Sequence, residues 1–211
     1  DEPYPVDDGV HMDGFSAAAA FSTRFGLLYP NRVKSISAGG GGAAPLPFSS
    51  RDGITLPYPL GIADYQDWTG RSFDREAWTS IDQFIYVGEE DQPLPDEDPR
   101  RYRPYSDRYQ DRAEEVYGIN SVTEKLPTTR SAYDEVGANA EFKIYEGVGH
   151  RTTPESRQDV LQFHRRTLDA EHVLQDLFEF TTLRRSASQI EVGSPVTVTV
   201  GIRNRFSATA T

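Results

Sequence analysis

Apolar positions in the first forty residues fall into two periods. Ala18, Phe21, Phe25 and Leu28 recur at three- and four-residue steps, which predicts a helix over 17–29, closed by Pro30-Asn31. Before it, Val10-His-Met-Asp13 is a short strand candidate. After it, 32–38 carries Val33 and Ile36 and ends in four glycines at 39–42. Strand, helix and strand within about thirty residues have the size of a βαβ unit. Two further strands are predicted at 83–87 and 141–146, each ended by glycine, Gly88 and Gly147. Helices are expected over 109–117, over 121–136 with a stop at Gly137, and from Pro154 to about 168, proline being favoured in a first helical turn. The prolines within 43–47 and 56–60 exclude regular helix or central strand there. A turn or short helix is expected over 61–68 and another short helix over 73–78, with Asp74 near its start.

From about 181 the texture changes. Residues 189–203 alternate and are β-branched, with turn residues at 193–195, and predict two antiparallel strands. The expected class is therefore α/β: three to four parallel strands with flanking helices over 1–181, and a β-rich extension over 182–211.

Composition narrows the function classes. There is no cysteine, so disulfides, thiolate metal sites and thiol catalysis are excluded. No run of about 18 apolar residues is present, so no membrane span is encoded in these residues. The net charge is −11, and only Lys34, Lys125 and Lys143 among the 22 basic residues are lysines. An acidic, lysine-poor surface fits a halophilic type of protein, because repulsion is screened beyond about 3 Å at 1 M salt. The same charge argues against nucleic acid as a partner, since phosphates are repelled.

The chemistry begins at Gly14-Phe-Ser-Ala-Ala18, between the first predicted strand and the first predicted helix. A serine nucleophile on a sharp strand-to-helix turn needs small neighbours, which Gly14 and Ala18 supply, although the second position departs from the Gly of G-x-S-x-G. The N–H of Ala17 opens the helix and is a candidate oxyanion donor. Further along, Asp91 follows the end of one strand, in Val87-Gly-Glu-Glu-Asp91, and His150 the end of the next, in Glu146-Gly-Val-Gly-His150. Serine attacks only when an imidazole takes its proton, and a carboxylate fixes that imidazole's tautomer. Loops at the carboxyl edge of a parallel sheet are where three such side chains converge.

These stretches, with Asn31-Arg-Val-Lys-Ser-Ile-Ser-Ala-Gly-Gly40 and Phe84-Ile-Tyr-Val-Gly-Glu-Glu-Asp91, resemble the α/β-hydrolase family over about residues 10–168. The nearest branch is the esterases and polyester depolymerases. The resemblance implies Ser16 as nucleophile, Asp91 as acid, three residues after Gly88, and His150 as base. It implies a small-molecule or polymeric ester as substrate and no cofactor or metal. Phe15, Tyr65 and Trp68 are the expected substrate-binding residues. Such folds run several strands before the nucleophile, and one of their loops supplies a second oxyanion donor. Only nine residues precede Val10, so the expectation is the C-terminal half of such a domain: a truncated gene product, a fragment, or a subunit completed by another chain.

Competing uses of the same residues are bland. Gly39–Gly42 lacks the Gly-Lys-Ser/Thr of a phosphate loop and is expected to be a pocket wall. The carboxylates at 89–98 lack the spacing of a calcium loop. His11, His164 and His172 show no ligand spacing and are expected to be structural. Two alternatives to an esterase stay open: a non-catalytic hydrolase-fold module joined to the opening strands of an Ig-like domain, and a peptidase on the same triad. The compartment is left open.

Overall fold

The computed structural model describes residues 9–91, 105–168, 178–185 and 198–204. The chain divides into two compact units, Asp1–Thr167 and Leu168–Thr211. The division thus falls at 167/168 rather than at the expected 181/182, because a single strand, β7, spans Phe178–Arg185 and pairs antiparallel with β8, Val198–Asn204. His172 and residues 92–98 of the acidic stretch lie outside the described residues.

The larger unit is built on a four-stranded, fully parallel sheet in the order β1-β2-β5-β6: Val10–Phe15, Val33–Gly39, Asp82–Gly88 and Ala140–Tyr145. Burial follows position. β2 and β5 are central and almost wholly buried, whereas the edge strands β1 and β6 are exposed or half-buried except at Gly14 and Tyr145.

Because side chains alternate along a strand, the two central strands build two different faces. Ile36, Ala38, Ile85 and Val87 pack into the main core, together with Leu27 of α1 (Ala17–Leu28) and the completely buried Trp78 and Leu46. α5 (Leu126–Val136) lies on this side too, where Tyr133 meets both Trp78 and Phe142 of β6 edge to face. On the other face Phe84, Tyr86 and Tyr145 pack with Val160 and Phe163 of α6 (Pro154–Thr167). The three-layer α/β architecture follows directly.

The proline-interrupted stretch holds more order than its composition suggests. β3 (Ser50–Arg51) and β4 (Ile54–Thr55) form a small antiparallel hairpin across Asp52-Gly53, both with positive φ. That pair is the common hairpin-turn dipeptide. α2 (Tyr65–Thr69) and α3 (Arg75–Thr79) follow, and Asp74 caps α3 by accepting from the Ala77 N–H at 3.0 Å. α4 runs over Asp107–Tyr117. The helix expected over 121–136 begins instead with one π-helical turn, Ser121–Lys125, before α5 proper. Asn120 caps that turn, accepting from the N–H groups of Val122 and Thr123.

Candidate active site

The site forms at the carboxyl ends of the parallel strands, where a break in each strand sets its loop free. Ser16 follows β1 directly and takes φ 59° and ψ −119°, a strained conformation for a residue with a side chain. Its N–H donates to the Gly39 carbonyl at 2.8 Å, which ties the turn to the end of β2. A Cβ at Gly14 would overlap the backbone of Ala18, so the first position of the motif must be glycine. Ala18, the departure from the usual second glycine, is exposed and its methyl is accommodated.

The loops after β5 and β6 are laced together. The Glu89 N–H donates to the Tyr145 carbonyl, the Glu90 N–H to the Val148 carbonyl, and the Gly147 N–H to Glu89 Oε2 at 3.0 Å. Glu89 is thereby committed to the loop. Asp91 is buried, and its carboxylate oxygens stand 2.9 and 3.0 Å from His150 Nδ1. On the other side of the ring, His150 Nε2 lies 2.9 Å from Ser16 Oγ. An ionised carboxylate only accepts, so Nδ1 carries the proton and Nε2 is left to accept from the serine hydroxyl. Ser16, His150 and Asp91, far apart in the chain, stand in one line.

Phe15 packs its ring 5.0 Å from the His150 ring and 6.5 Å from that of Tyr86, so it supports the imidazole from beside it. Tyr86 keeps its proton well into alkaline solution, its pKa pushed up to about 12 by burial and by the charge of Asp13. Ala17 opens α1 next to the serine, and its N–H is of the kind a helix leaves without an intrahelical acceptor.

A cavity of about 580 Å³ opens beside Ser16. Ala17, Gly40–Gly42, Asp91 and His150 line it; of the glycines expected in the wall, Gly39 does not. Tyr65 and Trp68 do not. Tyr65 is buried and donates its hydroxyl to the Leu28 carbonyl at 2.9 Å, while Trp68 is exposed and donates to Asp64 at 3.1 Å. Their rings pack on Phe73 and Tyr58, so these aromatics belong to the packing of the 58–78 segment rather than to the cavity wall. Phe15 is likewise absent from the wall. Two residues that spacing did not single out do face the cavity, Arg24 and Lys125. The only hint in the sequence was the scarcity of lysine.

His11 and His164 are structural, as expected, and bridge β1, β2 and α6. Ser35 Oγ lies 2.7 Å from His11 Nδ1 and 2.8 Å from His164 Nδ1. Ser37 Oγ lies 3.0 Å from His164 Nε2 and donates to Asp13 at 2.5 Å. Among the described residues no group of three or more His, Cys, Asp or Glu is placed to hold a metal ion.

A parallel sheet with a strained serine at a strand-to-helix elbow, then an acid and a histidine on later strand ends in that order, is a partial α/β-hydrolase fold. Solved structures similar to the chain include LpqC, a poly(3-hydroxybutyrate) depolymerase from Bordetella parapertussis, at 17% identity and TM-score 0.49, over 80% of this chain and 54% of that one. Others are Zea mays acyl-protein thioesterase 2 (15% identity, TM-score 0.47, 78% and 58% covered) and Arabidopsis thaliana SOBER1 (17%, 0.45, 75% and 53%). The chain spans little more than half the length of each. No protein-family model and no curated protein matches the chain.

Proposed function

We propose that the chain is a serine hydrolase of carboxylic esters. Ser16 Oγ attacks the ester carbonyl while His150 Nε2 takes its proton, and Asp91 holds Nδ1–H and stabilises the imidazolium. The oxyanion of the tetrahedral intermediate is met by the Ala17 N–H. As the intermediate collapses, His150 returns the proton to the leaving alcohol, and the acyl group stays on Ser16. Water then attacks the acyl-enzyme, again losing a proton to His150, which passes it to Ser16 Oγ as the acid is released and the serine hydroxyl restored.

The observation that carries this reading is the unbroken line from Asp91 through His150 to Ser16, every step at 2.9–3.0 Å. It is supported by the strained backbone at Ser16, since such strain persists only where the surroundings impose it. The test is covalent. A fluorophosphonate probe is expected to label the folded chain on Ser16, and Ser16→Ala to abolish both labelling and 4-nitrophenyl ester hydrolysis. A folded chain that never labels overturns the proposal.

A further inference from the structure

The cavity beside Ser16 is walled mostly by alanine and glycine, and its polar side chains away from the triad divide into two kinds. Thr23 spends its hydroxyl on the Ala19 carbonyl at 3.1 Å, the back-bond of a helical threonine. Arg24 is engaged with Tyr105, over whose ring its guanidinium stands at 5.1 Å. Ser121 and Lys125 differ. Both line the cavity, and neither the Ser121 hydroxyl nor the Lys125 ammonium has a hydrogen-bond or ion-pair partner among the described residues.

Ser121 is only 8% exposed. Its oxygen is nevertheless not sealed in the core, so the cavity is the side from which a partner reaches it. The two residues begin and end one π-helical turn, which the Lys125 N–H closes on the Asn120 carbonyl at 2.9 Å. Four residues apart on one turn, their side chains leave the same flank of the helix. The turn is fixed from both sides. Asn120 caps its start, and a Cβ at Gly42 would press on the Ser121 carbonyl and the Lys125 Cβ. The nearby carboxylates are committed elsewhere: Glu124 accepts from the N–H groups of Ile119 and Asn120, and Glu114 from Gln110.

Two donors held in this way decide what the cavity accepts. Water serves such donors in an open cavity. A plain alkyl chain displaces that water and leaves both donors unpaired, whereas a chain bearing an acceptor oxygen keeps them bonded. A carbonyl oxygen has two lone pairs, one for each donor. A neutral oxygen fits better than an anion. Asp91 lines the same cavity and pulls on Lys125 more strongly than Glu114 or Glu124 does, so a carboxylate in the substrate would be set against Asp91.

We infer that the acyl part of the ester carries a second, neutral carbonyl, whose oxygen accepts from Ser121 Oγ–H and Lys125 Nζ–H while the ester carbonyl reaches Ser16. On the hydrolase reading above, on which this rests, the preferred substrates are esters of oxo acids.

The test compares 4-nitrophenyl esters in pairs matched for chain length: 4-oxopentanoate with pentanoate, 5-oxohexanoate with hexanoate, and 6-oxoheptanoate with heptanoate. In at least one pair the oxo ester is expected to be favoured about tenfold or more in kcat/KM. Ser121→Ala and Lys125→Met should each erase most of that preference, read as a ratio within each variant so that any loss of folded protein cancels. If no pair shows a preference, or if it survives either substitution, the inference falls while the hydrolase reading stands. Mono-4-nitrophenyl adipate turned over faster than every oxo ester also overturns it. If the full chain hydrolyses no ester, the methyl esters of the same acids are titrated onto the Ser16→Ala chain. Tighter binding of an oxo ester that is lost when Ser121→Ala is added upholds the carbonyl site, and equal binding within every pair removes it.

Discussion

Asp91 meets the His150 ring with both carboxylate oxygens, at 2.9 and 3.0 Å from Nδ1. The carboxylate is buried and the imidazole half exposed, so the pair fixes the histidine from the protein side and leaves Nε2 to the serine. Asp91→Asn keeps the shape and removes the charge. The asparagine amide also donates to Nδ1, which turns the tautomer so that Nε2 carries the proton and no longer accepts from Ser16. The expected loss in kcat for a 4-nitrophenyl ester is on the order of 10⁴, with an unchanged urea midpoint. A loss under tenfold would separate Asp91 from the chemistry.

Gly88 is the other half of that geometry. It ends β5, and a Cβ there would overlap the Val148 carbonyl oxygen, which accepts from the Glu90 N–H just before Asp91. Gly88→Ala must push the two loops apart, at about 1–3 kcal/mol by the measure of overpacked cores. It should also lengthen the Asp91–His150 contact. Urea unfolding reads the first effect and the ester assay the second. A variant as stable and active as the parent would show that the loops slide freely.

The meeting of Ser16, His150 and Asp91 was legible in the sequence because each is announced by a local break: glycine before Ser16, the Val87-Gly88 strand end before Asp91, and the Gly147–Gly149 turn before His150. The parallel sheet was legible from the apolar run Phe84–Val87 in β5 and from Val33 and Ile36 in β2, each strand ending in glycine. Tyr65 and Trp68 misled because aromatic composition carries no direction. Only the packing of Tyr65 under Leu28 shows that it faces the core. Arg24 and Lys125 were illegible for a related reason. Lys125 reaches the cavity through the way the 121–125 turn seats against Gly42, and Arg24 through the placing of α1 beside Tyr105, contacts between segments about eighty residues apart. The β3–β4 hairpin was readable from Asp52-Gly53, but the surrounding prolines hid it.

Behind the cavity wall, Tyr117 is completely buried and donates its hydroxyl to the carbonyls of Ala44 and Leu60, at 2.8 and 3.1 Å. It ties α4 to the irregular 44–60 segment, which has little secondary structure of its own. Tyr117→Phe leaves the Ala44 carbonyl without this donor in the core, for an expected cost of about 1–3 kcal/mol. The urea midpoint should fall with its slope unchanged. No shift in midpoint would mean that water replaces the hydroxyl.

His164 sets the response to acid on the opposite face of the sheet. Ser37 donates to the Asp13 carboxylate, so it accepts from His164 Nε2–H, and His164 Nδ1 then accepts from Ser35. The network is satisfied with His164 neutral. Burial lowers its pKa below the ordinary 6.5, with the Asp13 charge pulling upward and His11 downward. The sign follows from proton counting: below 6.5 the unfolded chain takes a proton that the folded chain refuses. Stability from this group is therefore complete above about pH 6.5 and is lost as pH falls through the folded value. The groups lowered among the carboxylates, Asp74, Glu124 and Asp159, act only further down, below their ordinary values of 3.8 to 4.5. Urea midpoints measured between pH 8 and 5 should fall with acidification in the parent chain and fall less in His164→Gln. Equal slopes in the two proteins would show that His164 is protonated as readily in the fold as out of it.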